Sequence, residues 1–229
     1  MTLDPIQIRI LGALIEKEIV TPETYPLSLN ALLAACNQRS SREPVMDLAE
    51  DEVRQALHTL EDIGWTAVVR DSRVPKYEHL VRTVLNLRRD ETAVLCLLFL
   101  RGPQTPGELR ARADRLYSFD GLEGVESTLG RLTAPASEVA GGLRPLAVVL
   151  PRQPGSREAR YAHLLGGPVE VAARDSGGEP RRQSAGEPSL SGRVYELEVE
   201  VAELRAAVRR IEERLGAASE RTEGAGGEE

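Results

Sequence analysis

Two short phrases hold the residues best suited to chemistry, PKYEHL at 75–80 and ARYAHL at 159–164. Each sets a cation before a Tyr, a His two positions on and a Leu after it. A phenol beside an imidazole is a general acid–base pair, and two imidazoles from separate segments are half of a zinc site. Nothing nearby completes either chemistry. No third or fourth ligand is spaced to join His79 or His163. The two cysteines, Cys36 and Cys96, lack CxxC spacing and lie in apolar helical patterns, as buried free thiols do. The sequence also lacks a nucleophile–base spacing and a Gly-rich phosphate loop. The reading is therefore of a protein that is not an enzyme and carries no cofactor and no metal. Alternate residues of a strand share a face. Tyr77 then lies beside His79, and Tyr161 beside His163, each pair packing a hairpin against the helix before it.

The same shift of 84 that relates the two phrases lays LGALIEK (11–17) on LCLLFLR (95–101) and Thr21-Pro22 on Thr105-Pro106. With a shift of 72, VRQALHTL (53–60) falls on VESTLGRL (125–132), with Val, Leu and Leu coinciding. The shift changes between elements, where loops absorb insertions. A duplicated domain explains all four matches, whereas a split active site explains one.

The elements of each copy follow from local signals. Asp4-Pro5-x-Gln7 is a capping box with Pro at the first helical position, and Ile10, Leu11, Leu14 and Ile15 then form an apolar face. Thr21-Pro22 ends this helix. A second helix is predicted over Ser28–Cys36. A third runs over Glu50–Ile63, with Val53, Ala56, Leu57 and Leu60 inward and Gly64 as its left-handed stop. The stretches WTAVVR (65–70) and KYEHLVR (76–82) alternate as a hairpin. The second copy repeats the order, with helices at 91–101, 105–113 and 122–132 and a hairpin from LAVVL (146–150) and ARYAHLL (159–165). Three helices and a hairpin, twice over, make the fold class mainly α with small β-hairpins (α+β), in tandem winged-helix domains at 1–85 and 86–168.

The phrases TPETYPLSLNALLAACNQRSSREPVMDL, SRVPKYEHL, LLFLRGPQTPGELRAR and LPRQPGSREARYAHLL resemble the YceH-like family of bacterial proteins, over residues 3–167. The resemblance implies a tandem winged-helix fold and carries no activity with it.

Charge and residue type bear on binding. The stretch CNQRSSREPV (36–45) falls where a helix-turn-helix has its turn. Asn37, Gln38, Arg39, Ser40, Ser41 and Arg42 are suited to phosphates and base edges. They are equally suited to closing a turn on its own backbone. The hairpins are basic, with Arg70, Arg73 and Lys76 in one and Arg152, Arg157 and Arg160 in the other. Arg110, Arg112 and Arg115 add a basic stripe on the second helix of copy two. The third helices are acidic, with Asp47, Glu50, Asp51, Glu52, Glu61 and Asp62 around the first and Asp120, Glu123 and Glu126 at the second. Carboxylates in a major groove oppose the phosphate field that supplies most affinity. Two partners stay open: duplex DNA, met through the hairpins and the 37–42 turn, or another protein.

Beyond Pro168 the composition turns to Gly, Pro, Ser and mixed charge, a flexible linker over 169–189. A heptad follows at 190–215, with Val194, Val201 and Val208 at a and Leu190, Leu197, Leu204 and Ile211 at d. That choice favours a parallel two-stranded coil, in which Arg193 faces Glu198 and Glu200 faces Arg205. The dimer seam is thus Val194, Leu197, Val201, Leu204, Val208 and Ile211. The alternative is a single amphipathic helix folded back on the domains. Residues 216–229 read as disordered. Formal net charge over all 229 residues is −7. The tail beyond residue 168 holds 9 Arg against 14 acids, or −5, which leaves −2 for the rest. No run is apolar enough to span a bilayer and no secretory signal opens the chain. The expectation is a cytoplasmic protein with no membrane partner and a homodimer through its C-terminal helix.

Overall fold

In a computed structural model the described residues are 2–70, 74–135, 145–152, 156 and 158–167. The chain divides into two units, Met1–Arg174 and Asp175–Glu229, and every described residue belongs to the first. The linker, the heptad seam, Arg73 and Arg157 lie outside the described residues.

Among the described residues the elements follow in order: α1 (Pro5–Val20), a 3-10 turn (Pro22–Thr24), β1 (Leu27–Ser28), α2 (Leu29–Cys36), α3 (Glu50–Asp62), β2 (Thr66–Val69), β3 (Lys76–His79), α4 (Val81–Val84), α5 (Arg89–Arg101), α6 (Pro106–Ala113), α7 (Leu122–Thr133), β4 (Ala147–Val149) and β5 (Tyr161–His163). The class is α+β. Each half places an antiparallel hairpin after three helices, and in the first half β1 adds to it from between α1 and α2. In the first sheet the order is β1-β3-β2; the second pairs β4 with β5. The two registers agree, since Val68 faces Tyr77 and Thr66 faces His79, while Val149 faces Tyr161 and Ala147 faces His163.

Helix starts are set locally. The Gln7 N–H donates to Asp4 Oδ1 at 2.8 Å and the Asp4 N–H donates to Gln7 Oε1 at 3.0 Å. Thr105 and Glu108 close the same reciprocal pair at α6. On α3 the buried residues are Val53, Ala56, Leu57 and Leu60, and Gly64 follows at φ +74°.

Two departures from the sequence pattern concern the repeat. Thr21 ends α1 and leads the 3-10 turn, whereas Thr105 caps α6. The counterpart of Thr105 is Ser28, the cap of α2: Leu27 pairs with Tyr77 just as Gln104 bridges Tyr161. The Thr-Pro match is a coincidence of spelling. The second strand of the first hairpin ends at His79 rather than residue 82. His79 Nδ1 accepts from the Val81 N–H at 3.3 Å, and α4 then carries Val81 and Leu85 into the core.

The two halves meet through α1 and α5. Residues 7–15 of α1 and 91–100 of α5 are buried without interruption, as in a helix enclosed on all sides. Gly12 and Cys96, related by the 84-residue repeat, touch here: the Cys96 thiol donates to the Gly12 carbonyl at 3.4 Å. A Cβ on Gly12 would stand 2.9 Å from Leu100 Cδ2 and 3.1 Å from Phe99 Cβ. One hydrophobic core runs through both halves. No helix among the described residues is long and apolar enough to cross a membrane.

Candidate functional site

Both histidines of the Tyr-His pairs pack against the first helix of their half, not the third. His79 Nε2 lies 2.9 Å from Glu18 Oε2 on α1, and its backbone N–H donates to the Tyr25 hydroxyl at 2.8 Å. His163 meets Phe99 of α5 edge-on, with ring centroids 5.1 Å apart. Its Nδ1 is buried without a hydrogen-bond partner, and burial lowers its pKa to about 4. The hydrogen bond from His79 lowers the Glu18 pKa, as do its charge and that of Arg82, against the opposing effect of burial. Both cysteines are buried and free, and burial raises the Cys36 thiol to about 12. Among the described residues no group of three or more His, Cys, Asp or Glu is arranged to hold a metal ion.

The 36–45 loop divides between the two roles its residues allow. Asn37 closes the loop on itself, its Nδ2 donating to the Leu48 carbonyl at 2.9 Å and its Oδ1 accepting from the Leu48 N–H at 2.9 Å. Arg42 is 5% exposed. Its guanidinium donates to the carbonyls of Ala35 and Ser41, and Nη2 meets Glu16 Oε2 at 2.6 Å. Of the two roles open to them, nucleic-acid contact and closure of the turn, these bonds give Asn37 and Arg42 the second: both hold the loop in place. Arg9, a cation in an apolar helical pattern that gives no sign of a partner, completes the clasp. It is 1% exposed and donates to the carbonyls of Cys36 and Pro44 at 3.1 and 2.6 Å. Burial, then the charge of Arg42, lowers its pKa. The Glu43 N–H reaches across to the Leu100 carbonyl of α5 at 2.8 Å.

Held this way, the loop turns Gln38, Arg39, Ser40 and Ser41 into a cleft of about 410 Å³, where they meet Glu16, Lys17 and Val20 from α1 and Arg115 from the turn after α6. Ser41 takes the left-handed conformation, at φ +61°, to make the bend. Lys17 and Arg115 were not singled out as partners of the loop, because nothing in residue spacing joins position 17 or 115 to position 39. Cations crowd this side of the protein. The Arg101 pKa is lowered first by burial and then by Arg112 and Arg42, against the opposing pull of Glu16 and Glu43.

The remaining candidates lie elsewhere. Arg70 and Arg152 are exposed and Lys76 is half-buried on the hairpins. Arg160, basic in the same hairpin, is engaged within the protein: its guanidinium pairs with both oxygens of Glu108 and donates to the Pro103 carbonyl. Arg110 and Arg112 are engaged by Asp114 and Gln104. On α3, Arg54 pairs with Glu50, and the Asp51 side chain is 99% exposed.

A family model described as a protein of unknown function, DUF480, matches residues 3–170. The chain belongs to the DUF480 family. The chain is similar to curated proteins named UPF0502. One from Koribacter versatilis is 52% identical over 207 residues, covering 89% of this chain and 91% of that one. Another from Solibacter usitatus is 48% identical, covering 90% and 94%, and a third from Acidovorax sp. is 45% identical, covering 93% of each. The DUF480 match spans α1 through β5 and so includes every described site.

Proposed function

We propose that this DUF480 protein is a non-enzymatic interaction module of two winged-helix halves, acting in the cytoplasm, and that its acidic third helix recruits a basic segment of a protein partner. The observation that carries this reading is the outer face of α3. Glu50, Asp51 and Glu52 stand in its first turn, Glu61 and Asp62 at its end, and all five are exposed. Acids in the first turn favour the helix, and Glu52 also accepts from the Ala49 N–H at 2.7 Å. Acids in the last turn face the negative end of the dipole and cost stability there, with the exposed His58 standing 3.8 Å from Asp62. In a winged helix this is the element that would enter a major groove, and five carboxylates there repel phosphate. They attract Lys and Arg.

The test uses a fluorescently labelled Lys/Arg-rich peptide and a random duplex DNA, each titrated at low and moderate salt. The peptide is expected to bind, with affinity falling as salt rises and lost in Asp51→Lys/Glu61→Lys. A second reading, duplex DNA met through the hairpins, is favoured by the exposure of Arg70 and Arg152. Tight DNA binding with a steep salt slope that Arg70→Ala and Arg152→Ala flatten would replace the first reading with the second.

A further inference from the structure

The cleft between α1, the 38–41 turn and Arg115 has a charge balance unlike the acidic α3 face. Three cations line it, Lys17, Arg39 and Arg115, against one carboxylate, Glu16. That carboxylate is already engaged from behind by the buried Arg42 at 2.6 Å, with Lys17 Nζ 4.0 Å away. The rest of the polar lining is the amide of Gln38 and the hydroxyls of Ser40 and Ser41, all able to donate hydrogen bonds. Like charges converging in a concave space need a counter-anion, and a pair of guanidinium forks fits phosphoryl oxygens better than a halide. The volume of about 410 Å³ falls within the range of small-molecule sites, roughly 300–1,000 Å³, and exceeds what inorganic phosphate fills.

We propose that this cleft binds a small phosphomonoester of about nucleoside-monophosphate size, its dianion held by Arg39, Arg115 and Lys17 and its phosphoryl oxygens by Ser40 and Ser41. The loop is built for the task before any ligand arrives. Arg9 and Arg42 fix its two ends through backbone carbonyls, so little ordering is left to oppose binding. Both halves contribute, because the turn belongs to the first and Arg115 to the second. Occupancy would therefore tie α1 and the turn after α6 together.

Adenosine 5′-monophosphate, adenosine and inorganic phosphate serve as probes, titrated calorimetrically into the full chain at low ionic strength. AMP is expected to bind and adenosine not to. Affinity should strengthen from pH 5 to 8 as the phosphate, with its second pKa at about 6, becomes a dianion. Arg39→Ala and Arg115→Ala should each weaken AMP binding roughly tenfold, the loss typical of one charged hydrogen-bonding group. Both side chains are exposed, so the variants should melt like the parent. Arg70→Ala on the hairpin should change nothing. The proposal fails if AMP does not bind at millimolar concentration, if adenosine binds equally, or if both cleft variants keep full affinity. Inorganic phosphate binding as tightly as AMP would leave an anion site and refute the phosphomonoester. A DNA duplex that displaces AMP in an Arg70-dependent manner would reassign the cleft to the nucleic-acid surface.

Discussion

His163 is folded against Phe99 with Nδ1 buried and unpartnered, so the folded state favours the neutral ring. Burial depresses its pKa from 6.5 to about 4. Between these values the unfolded chain binds the proton and the folded chain does not, so stability is complete above about pH 6.5 and declines as pH falls toward 4. The loss reaches at most about 3 kcal/mol. Urea midpoints followed from pH 7 to 4 should show the decline, and His163→Phe should remove that part of it. An identical decline in the variant refutes the assignment. Glu18, whose pKa is lowered chiefly by its hydrogen bond to His79, contributes in a lower window, losing its share only as pH falls below its ordinary value of 4.5. At this scale the sequence was least legible. Arg42 and Arg39 are the same residue type three positions apart in one polar loop, and only one of them points outward. The partners that bury Arg42 are the Ala35 and Ser41 carbonyls and Glu16, and residue types in the loop do not specify which carbonyl a chain will aim at which guanidinium. The paired histidines mislead in the same way, since His79 meets a carboxylate and His163 a phenyl ring.

The elements were far more legible, because their signals are local. The Asp4–Gln7 and Thr105–Glu108 boxes, the α3 stripe and the hairpin registers each depend on residues only a few positions apart or on strict alternation. What escaped is what two elements do to each other. The pattern of α1 predicts one apolar face, yet residues 7–15 are enclosed on every side because α5 lies against them. Two glycines separate these effects. Gly12 has Leu100 and Phe99 at its missing side chain, whereas Gly130, exposed on α7, has nothing within 4 Å. Gly12→Val should lower stability by about 1–3 kcal/mol through overpacking. Gly130→Ala should raise it by roughly 0.5–1 kcal/mol through helix propensity alone. Denaturant midpoints of the two variants would decide, and a Gly12→Val protein as stable as the parent would mean that the α1–α5 contact is loose.

For the whole molecule, the heptad at 190–215 lies outside the described residues and is argued from its sequence. Leu204 occupies a central d position, so Leu204→Glu should convert a homodimer to a monomer while residues 2–167 stay folded. Sedimentation across a concentration series measures this, and a parent chain that is monomeric at the highest concentration refutes it. The contact of Gly12 with Cys96 bears on where such a chain came from. Equivalent residues that touch each other mark the place where a two-fold axis relates identical subunits. The α1–α5 pair brings two such residues, Gly12 and Cys96, together within one chain. Identical subunits must change every surface in duplicate, whereas a fused chain can mutate one copy and leave the other. The turn carrying Arg39 belongs to the first half and the turn carrying Arg115 to the second, so each half can alter its own side of the cleft they share without altering the other.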